Sequence, residues 1–265
     1  MKGFLLSFRS EFYKTRKTLG FWSAILLPLL ICLLVTVGFY TKSSELEKMS
    51  GQELWMRYST VSLAIMGSLL LPIYTIFIAY SVSSIEHKAD TWKTIFSLPI
   101  SRWSVYSAKY LYGVFLVLLC LGLFCLFTIG FGNLLSAIKP QLKFDTYHIE
   151  KELIQIYFKL FLSALGIFSI QFLLSLLWAD FLKPMGLGFV ATVSGVILAG
   201  NDWKYSYLFP YAHPMGAIRT MVKHSKGAAN PLEIDIYTKD VYVSLIIAVV
   251  VFIAGYYIVQ RKSVK

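Results

Sequence analysis

Long apolar runs separated by short polar stretches make up most of this chain. Six of them are apolar enough to cross a membrane as helices. We predict these spans at about residues 19–40, 60–82, 105–129, 153–178, 185–200 and 241–259. The fifth run is the shortest and falls below the ~20 apolar residues that a bilayer core requires. The pattern predicts an all-α, polytopic membrane protein with a single transmembrane domain over residues 1–265.

The polar stretch at residues 1–17 predicts a helix that lies in the membrane interface. Apolar side chains occupy one face and basic side chains lie elsewhere; they are Phe4, Leu5, Phe8 and Phe12, and Lys2, Arg9, Lys14, Arg16 and Lys17. The apolar run that follows is too long for the core of a signal peptide. We therefore interpret that run as the first span.

Residues 85–98 predict a second amphipathic helix, between the second and third spans. Its apolar stripe at helical spacing consists of Ile85, Ala89, Trp92 and Phe96. Ser83 and Glu86 have the spacing of a capping box, which predicts that a new helix begins there. Pro99 ends this helix, and Ser101 can cap the third span. The pattern alone fits an ordinary interfacial loop helix equally well.

A long mixed stretch, residues 201–240, separates the last two spans. It opens with aromatic residues suited to the headgroup layer, contains Pro210 and Pro214, and turns polar at residues 223–226. We predict short helices that dip back into the outer leaflet and break at the prolines. Tyr211 and Met215 are then shielded from water, and residues 223–226 are exposed. The alternative is an outer loop without fixed structure.

Composition supports a membrane protein. Hydrophobic residues make up 57% of the chain and charged residues 15%, which excludes an ordinary soluble domain. The net charge of +11 is spread over helix ends, so it favours contacts with anionic lipid and not with nucleic acid. The three cysteines lie inside apolar runs, where packing is a better interpretation than metal binding or a disulfide.

The distribution of basic residues orients the chain only weakly, because the two sides carry nearly equal numbers. The first span has more basic residues before it than after it, and long outer loops count little toward orientation. We therefore expect both termini on the cytoplasmic side of the membrane.

The sequence contains no motif for ATP or metal binding, but it contains one pattern for helix contacts and one charged residue inside a span. No G-x-x-x-x-G-K-[ST] loop for ATP occurs, and no histidine pair has metal-ligand spacing. Ala191, Gly195 and Ala199, four residues apart, predict close helix packing or a subunit interface. Lys159 is the ionisable residue inside a predicted span; we expect it to reach outward to the interface, although it could line a cavity.

A resemblance gives residues 85–102 a specific interpretation. Glu86, Thr91-Trp92-Lys93, Leu98-Pro99-Ile100-Ser101-Arg102 and the later Lys109 resemble the cytoplasmic loop of ABC-2 type permeases. The loop looks most like that of the bacterial lantibiotic- and bacitracin-protection exporters. In such proteins it carries a coupling helix that docks on a separate ATPase. The resemblance implies an ATPase-coupling role for Glu86, Asp90, Thr91, Trp92, Lys93 and Phe96. Asp90 departs from the small residue expected there.

The resemblance also implies partners and a cargo class. We expect a permease that works with a second permease copy or homologue and with two ATPase subunits, which bind ATP and Mg²⁺. The permease itself needs no cofactor or metal and has no catalytic residues. Re-entrant helices before the last span would cap the path, with Tyr211 and Met215 as its outer gate. The scarcity of charge in the spans suits export of an apolar or amphipathic cargo, such as an antimicrobial peptide or a lipid-like molecule.

Two other classes of function are open at this stage. An ion-coupled secondary transporter usually needs carboxylates inside the spans, and none lies inside the predicted ones. An intramembrane enzyme needs a nucleophile and base, or a metal site, and the sequence offers neither.

Overall fold

The chain folds into a bundle of helices. The computed structural model describes residues 2–89, 91, 94, 97, 99–225 and 234–261, which contain no strand. The helices are α1 (Lys2–Thr15), α2 (Leu19–Thr41), α3 (Ser43–Leu46), α4 (Gly51–Ile65), a π-helical turn (Met66–Leu70), α5 (Leu71–Ala89), α6 (Arg102–Ile138), α7 (Glu150–Leu177), α8 (Leu182–Gly200), α9 (His213–Ser225) and α10 (Lys239–Arg261). Short 3₁₀ turns lie at Phe144–Thr146, Ser206–Leu208 and Pro210–Ala212.

Six helical segments in the described residues are long and apolar enough to span a membrane, as the sequence predicts. They are α2, the continuous segment Gly51–Ala89, α6, α7, α8 and α10. The chain is therefore a multi-pass, all-α membrane protein. We call the end of the bundle that holds α1 and the last turn of α10 the terminal end, and the opposite end the loop end.

The second span is much longer than the predicted 60–82, because α4 begins at Gly51. Ser50 and Glu53 close a capping box there, with Ser50 Oγ accepting from the Glu53 amide and the Ser50 amide donating to Glu53 Oε2 over 2.9 Å. Trp55 and Tyr58, which lie before the predicted start of the span, are buried against Phe144. The indole nitrogen of Trp55 donates to the Phe144 carbonyl over 2.8 Å. This interior partner satisfies the indole N–H away from the membrane surface.

The same helix also runs past its predicted end. A new helix does not begin at Ser83, because α5 continues to Ala89. The Ser83 hydroxyl donates to the Ala79 carbonyl over 3.0 Å, so it bonds back into α5 and does not cap. The predicted helix 85–98 is therefore, up to Ala89, the last turn of α5.

The third and fifth spans also exceed their predicted lengths. Ser101 caps α6 as predicted, with its hydroxyl accepting from the Ser104 amide over 3.2 Å. That helix continues to Ile138 and ends just before Pro140, a residue that cannot continue it. α8 begins at Leu182 and has 19 residues, which removes most of the shortfall expected for a run starting at Met185.

α7 forms the centre of the bundle and contacts α5, α6, α9 and α10. It approaches α10 closely at Gly166, whose amide donates to Ser244 Oγ over 3.0 Å. Lys159 lies in this helix with none of its surface exposed; its reach toward the membrane interface stays a prediction. The carboxylates of Asp235 and Asp240 are close enough to act on its charge, which is how a buried ammonium is tolerated.

Candidate functional site

Four charged side chains form a closed ring at the terminal end. Lys109 Nζ donates to Glu11 Oε2 over 2.9 Å and to Glu86 Oε2 over 2.7 Å. Lys14 Nζ donates to the other oxygen of each carboxylate, over 2.5 Å to Glu11 and 2.6 Å to Glu86. Each carboxylate thus accepts from two ammonium groups, and each ammonium group donates to two carboxylates. We call this set the charge ring.

The charge ring is buried and has no net charge. Glu86 and Lys109 are each 1% exposed, Glu11 is 3% exposed, and only Lys14, at 30%, reaches the surface. Burial acts to lower the pKa of Lys14, but the carboxylates of Glu11 and Glu86 outweigh this and leave the pKa raised. These four charges can be held together in the interior because each is paired. An unpaired buried charge would cost several kcal/mol of stability.

The ring joins three helices that are far apart in sequence. Glu11 and Lys14 lie on α1, Glu86 lies in the last turn of α5, and Lys109 lies near the start of α6. Lys109 also donates to the Val82 carbonyl over 3.0 Å. Beside the ring, the hydroxyls of Thr15 and Tyr112 are hydrogen-bonded. One face of α1 is therefore bound to the bundle, so α1 is more than a helix that lies in the membrane interface.

The loop resemblance points to two members of this ring, Glu86 and Lys109. The sequence pattern presents Lys14 only as one of the basic residues of residues 1–17, and Glu11 is not among the predicted residues. A signal was present, because Glu11 is the sole acidic residue among the basic ones of residues 1–17. Leu5 and Phe12 are exposed as an interfacial helix requires, but Phe4 and Phe8 are partly buried, and Phe8 packs on Tyr112.

The segment after α5 connects directly to the ring. The Thr91 amide donates to the Glu86 carbonyl over 3.2 Å, and Thr91 is half-buried. His87 Nε2 donates to the Ser175 carbonyl over 3.1 Å, which ties this end of α5 to α7. The other predicted coupling residues, Asp90, Trp92, Lys93 and Phe96, lie outside the described residues.

The small residues of α8 contact a segment of the same chain. Gly195 faces the backbone of Tyr211, where an added Cβ would lie 2.5 Å from the carbonyl oxygen. Ala199 is buried and Ala191 is half-buried. The side chain of Arg219 donates to the carbonyls of Ala199 and Gly200. This stripe thus lets α8 approach the 3₁₀ turn at Pro210–Ala212 and the helix α9.

The segment between α8 and α10 packs on the loop end of the bundle, and we call these contacts the closure. Tyr211 lies at their centre. Its side chain is 5% exposed, and its hydroxyl accepts from Gln171 Nε2 of α7 over 2.6 Å. Met215 is half-buried. Gln171, wholly buried within a span, is a further residue that the sequence predictions do not include. A buried amide inside a membrane helix is the signal that could have found it.

α9 completes the closure by packing on the second span. Ile218 of α9 is buried against Gly67, where an added Cβ would lie 1.7 Å from the isoleucine side chain. Gly67 lies in the π-helical turn, a local widening that is frequent at functional sites. The side chains of residues 223–226, predicted to be exposed, lie outside the described ones.

His213 anchors the same segment. It is 1% exposed, and its Nε2 donates to the Tyr207 carbonyl over 2.8 Å. Burial lowers the pKa of His213 to about 4, against a smaller opposing effect of that carbonyl. The imidazole of His213 is therefore neutral at physiological pH, and its one hydrogen bond holds residues 207–213 together.

Neither a metal site nor a reactive cysteine is found in the described part of the chain. No group of three or more His, Cys, Asp or Glu side chains is arranged to hold a metal ion there. Cys32, Cys120 and Cys125 are buried and unlinked, consistent with packing roles. The chemistry of the described residues is thus that of charge pairing and helix contacts.

Comparison with known families matches residues 7–195 to the model of the ABC-2 family transporter proteins. The chain belongs to the ABC-2 family. An ABC-2 permease is the membrane subunit of an ABC transporter and implies an ATPase partner. The matched range includes the charge ring and most of α8. Searches of curated proteins and of solved structures give no match.

The charge ring generates a stability prediction. Lys109→Met leaves two buried carboxylates facing one ammonium group, so we expect a loss of about 3 to 5 kcal/mol and a lower thermal midpoint in detergent. Adding Glu11→Gln restores the charge balance and should recover part of that loss. Lys17→Met, which removes a charge from an exposed position of the same stretch, is the control. Equal midpoints for Lys109→Met and Lys17→Met would contradict the closed ring.

His213 generates a pH prediction. Its pKa is about 6.5 when unfolded and about 4 when folded, so below pH 6.5 the unfolded state takes up a proton that the folded state does not. Stability should therefore fall with decreasing pH from 6.5 to 4, by about 2 kcal/mol at pH 5. His213→Gln should lack this part of the pH dependence. Thermal midpoints of both proteins at pH 7 and pH 5 check this, and parallel changes would refute it.

Proposed function

We propose that this ABC-2 permease is the membrane subunit of an ATP-driven exporter in the bacterial inner membrane, with its terminal end in the cytoplasm. It works as a pair of permeases, either two copies or two homologues, with two ATPase subunits that bind ATP and Mg²⁺. The segment that follows Ala89, up to residue 98, forms the contact with the ATPase. The charge ring is the observation that carries this proposal, because it lies where that contact must be transmitted to the helices.

The charge ring makes α1, α5 and α6 move together when the segment after Ala89 is displaced. A displacement of the segment after Ala89 acts on Glu86, whose carboxylate is bound to Lys14 of α1 and Lys109 of α6. Separating any of these helices alone would expose an unpaired charge in a buried site, which is costly. Glu86 therefore contributes to coupling through the ring, whereas Trp92 supplies the direct contact with the ATPase.

In this proposal the outer end of the path is closed by residues of the chain itself. Tyr211 bonds Gln171 of α7, and Ile218 fills the space beside Gly67 of the second span. A tilt of the second span or of α8 transmits motion from the terminal end to these contacts, since both helices touch the closure. Tyr211 and Met215 then act as the outer gate, and Ala191, Gly195 and Ala199 carry the close approach of α8 to it. We propose in addition that these three small residues of α8 lie in the interface between the two permeases.

The cargo follows from the character of the spans. The apolar window of each span holds at most two charged residues, and the buried charges found near the helix ends are paired or face opposite charge. A path through such helices suits an apolar or amphipathic molecule, such as an antimicrobial peptide or a lipid-like compound. The loop resemblance to lantibiotic- and bacitracin-protection exporters supports the peptide class.

Coupling is tested at the aromatic residue of residues 85–98. An aromatic anchor in a partner groove contributes about 2 kcal/mol or more, so Trp92→Ala should weaken ATPase binding about thirtyfold. The measurements are recovery of ATPase activity with the tagged permease from native membranes, and ATP-dependent transport in vesicles. The control is Trp22→Ala, at a half-exposed position of α2. Unchanged recovery and transport in Trp92→Ala would contradict the proposed contact, and transport driven by a proton gradient without ATP would favour a secondary transporter.

Orientation is tested by labelling with an impermeant thiol reagent. The three native cysteines are buried, so the background is low. A cysteine replacing Lys48 at the loop end should react from outside intact cells, whereas one replacing Ser97 should react only after the cells are opened. Both positions are exposed. The reverse pattern would place the terminal end outside and overturn the assignment.

A further inference from the structure

A polar cleft at the loop end is unused by the proposed coupling and gating. It has a volume of about 590 Å³ and is lined by two short stretches, residues 204–207 after α8 and residues 235–240 leading into α10. This volume lies within the range of small-molecule sites and exceeds that of an ion site. His213 fixes one wall through its bond to the Tyr207 carbonyl. The cleft therefore adjoins the outer gate and is partly held by it.

The described lining residues carry charges of both signs. Lys204 and Lys239 supply two ammonium groups, each 5.8 Å from a tyrosine ring centre, those of Tyr205 and Tyr207 respectively. Asp235 and Asp240 supply two carboxylates. These four charges sum to zero. A ligand with one sign of charge would be attracted by one pair and repelled by the other, so the lining favours a ligand that carries both signs.

The carboxylates are held in place by neighbouring residues. Asp235 Oδ1 accepts from the Tyr237 amide over 3.1 Å, and Asp240 lies against the backbone of Gly216 in α9. The buried ammonium group of Lys159, outside the lining, also acts on both carboxylates and adds one positive charge to the four of the lining. Thr238 Oγ1 is buried and has no partner among the described residues, so it can still form a hydrogen bond with a ligand.

The position of the cleft indicates a lipid. It lies at the loop-end limits of two spans, α8 and α10, where the headgroup layer of the bilayer is located. Trp203, Tyr205 and Tyr237 are 44%, 46% and 58% exposed there, which is typical of aromatic residues at that level. Tyrosine rings beside carboxylates are also suited to an alkylammonium group.

We propose that this cleft binds the zwitterionic headgroup of a phospholipid. The phosphate lies between Lys204 and Lys239, and the ammonium group faces Asp235 and Asp240. This inference does not rest on the exporter function, because it concerns binding by the permease alone. Loss of lipid binding and loss of ATPase binding are therefore separate results.

The test is native mass spectrometry of the full chain in detergent with phosphatidylethanolamine and phosphatidylglycerol of matched acyl chains. The chain should retain phosphatidylethanolamine about tenfold better, which corresponds to about 1.4 kcal/mol and is close to the lower value for one hydrogen bond to a charged group. Lys204→Met with Lys239→Met should lose this lipid, and Asp235→Asn should shift the preference toward phosphatidylglycerol. Because Asp235 also acts on the buried charge of Lys159, the thermal midpoint of Asp235→Asn is measured alongside to show that the variant is folded.

The matched control is Lys42→Met with Lys48→Met. It removes the same charge from exposed positions of the loop end, outside the cleft, and should leave the preference unchanged. Equal loss in this control and in the cleft variant would reduce the effect to surface charge and overturn the proposal. Equal retention of the two lipids by the unmodified chain would overturn it too. Binding of soluble phosphoethanolamine without binding of the lipid would exclude the lipid as the ligand.

Discussion

Charges buried among apolar helices need partners of opposite sign, and this requirement organises the terminal end of the molecule. Glu86 lies within a continuous helix, not in a loop, and its carboxylate is 1% exposed. It is tolerated because Lys14 and Lys109 both bind it, and because Glu11 balances the second ammonium. The closed ring forces α1, α5 and α6 to keep a common geometry. A short amphipathic helix thereby becomes part of the bundle.

The loop end depends on a different constraint, the close approach of backbones. Because Gly195 has no side chain, the turn at Pro210–Ala212 can lie against it, and Ile218 lies against Gly67 for the same reason. In each case a methyl group on the glycine would occupy that space. These contacts bring Tyr211 within hydrogen-bonding distance of Gln171. The segment between the last two spans is consequently packed against α7 and α8 at residues 206–219.

The two ends are joined by single long helices. The second span runs from the capping box at Ser50 to the charge ring at Glu86, and the π-helical turn at Met66–Leu70 interrupts its regular hydrogen bonding next to α9. The second span therefore connects the two ends without an intervening loop, and α9 packs on its π-helical turn.

The sequence by itself determined the six spans and the all-α fold, because these follow from the length and periodicity of apolar runs. It also indicated Glu86 and Lys109 and the burial of Tyr211. Only the tertiary structure decided the rest. Glu11 meets Lys109, Gln171 meets Tyr211 and Trp55 meets Phe144 across separations that no local pattern records. In an apolar chain the hydrophobic pattern places a residue in the membrane, whereas its polar partner depends on which helices come to lie side by side.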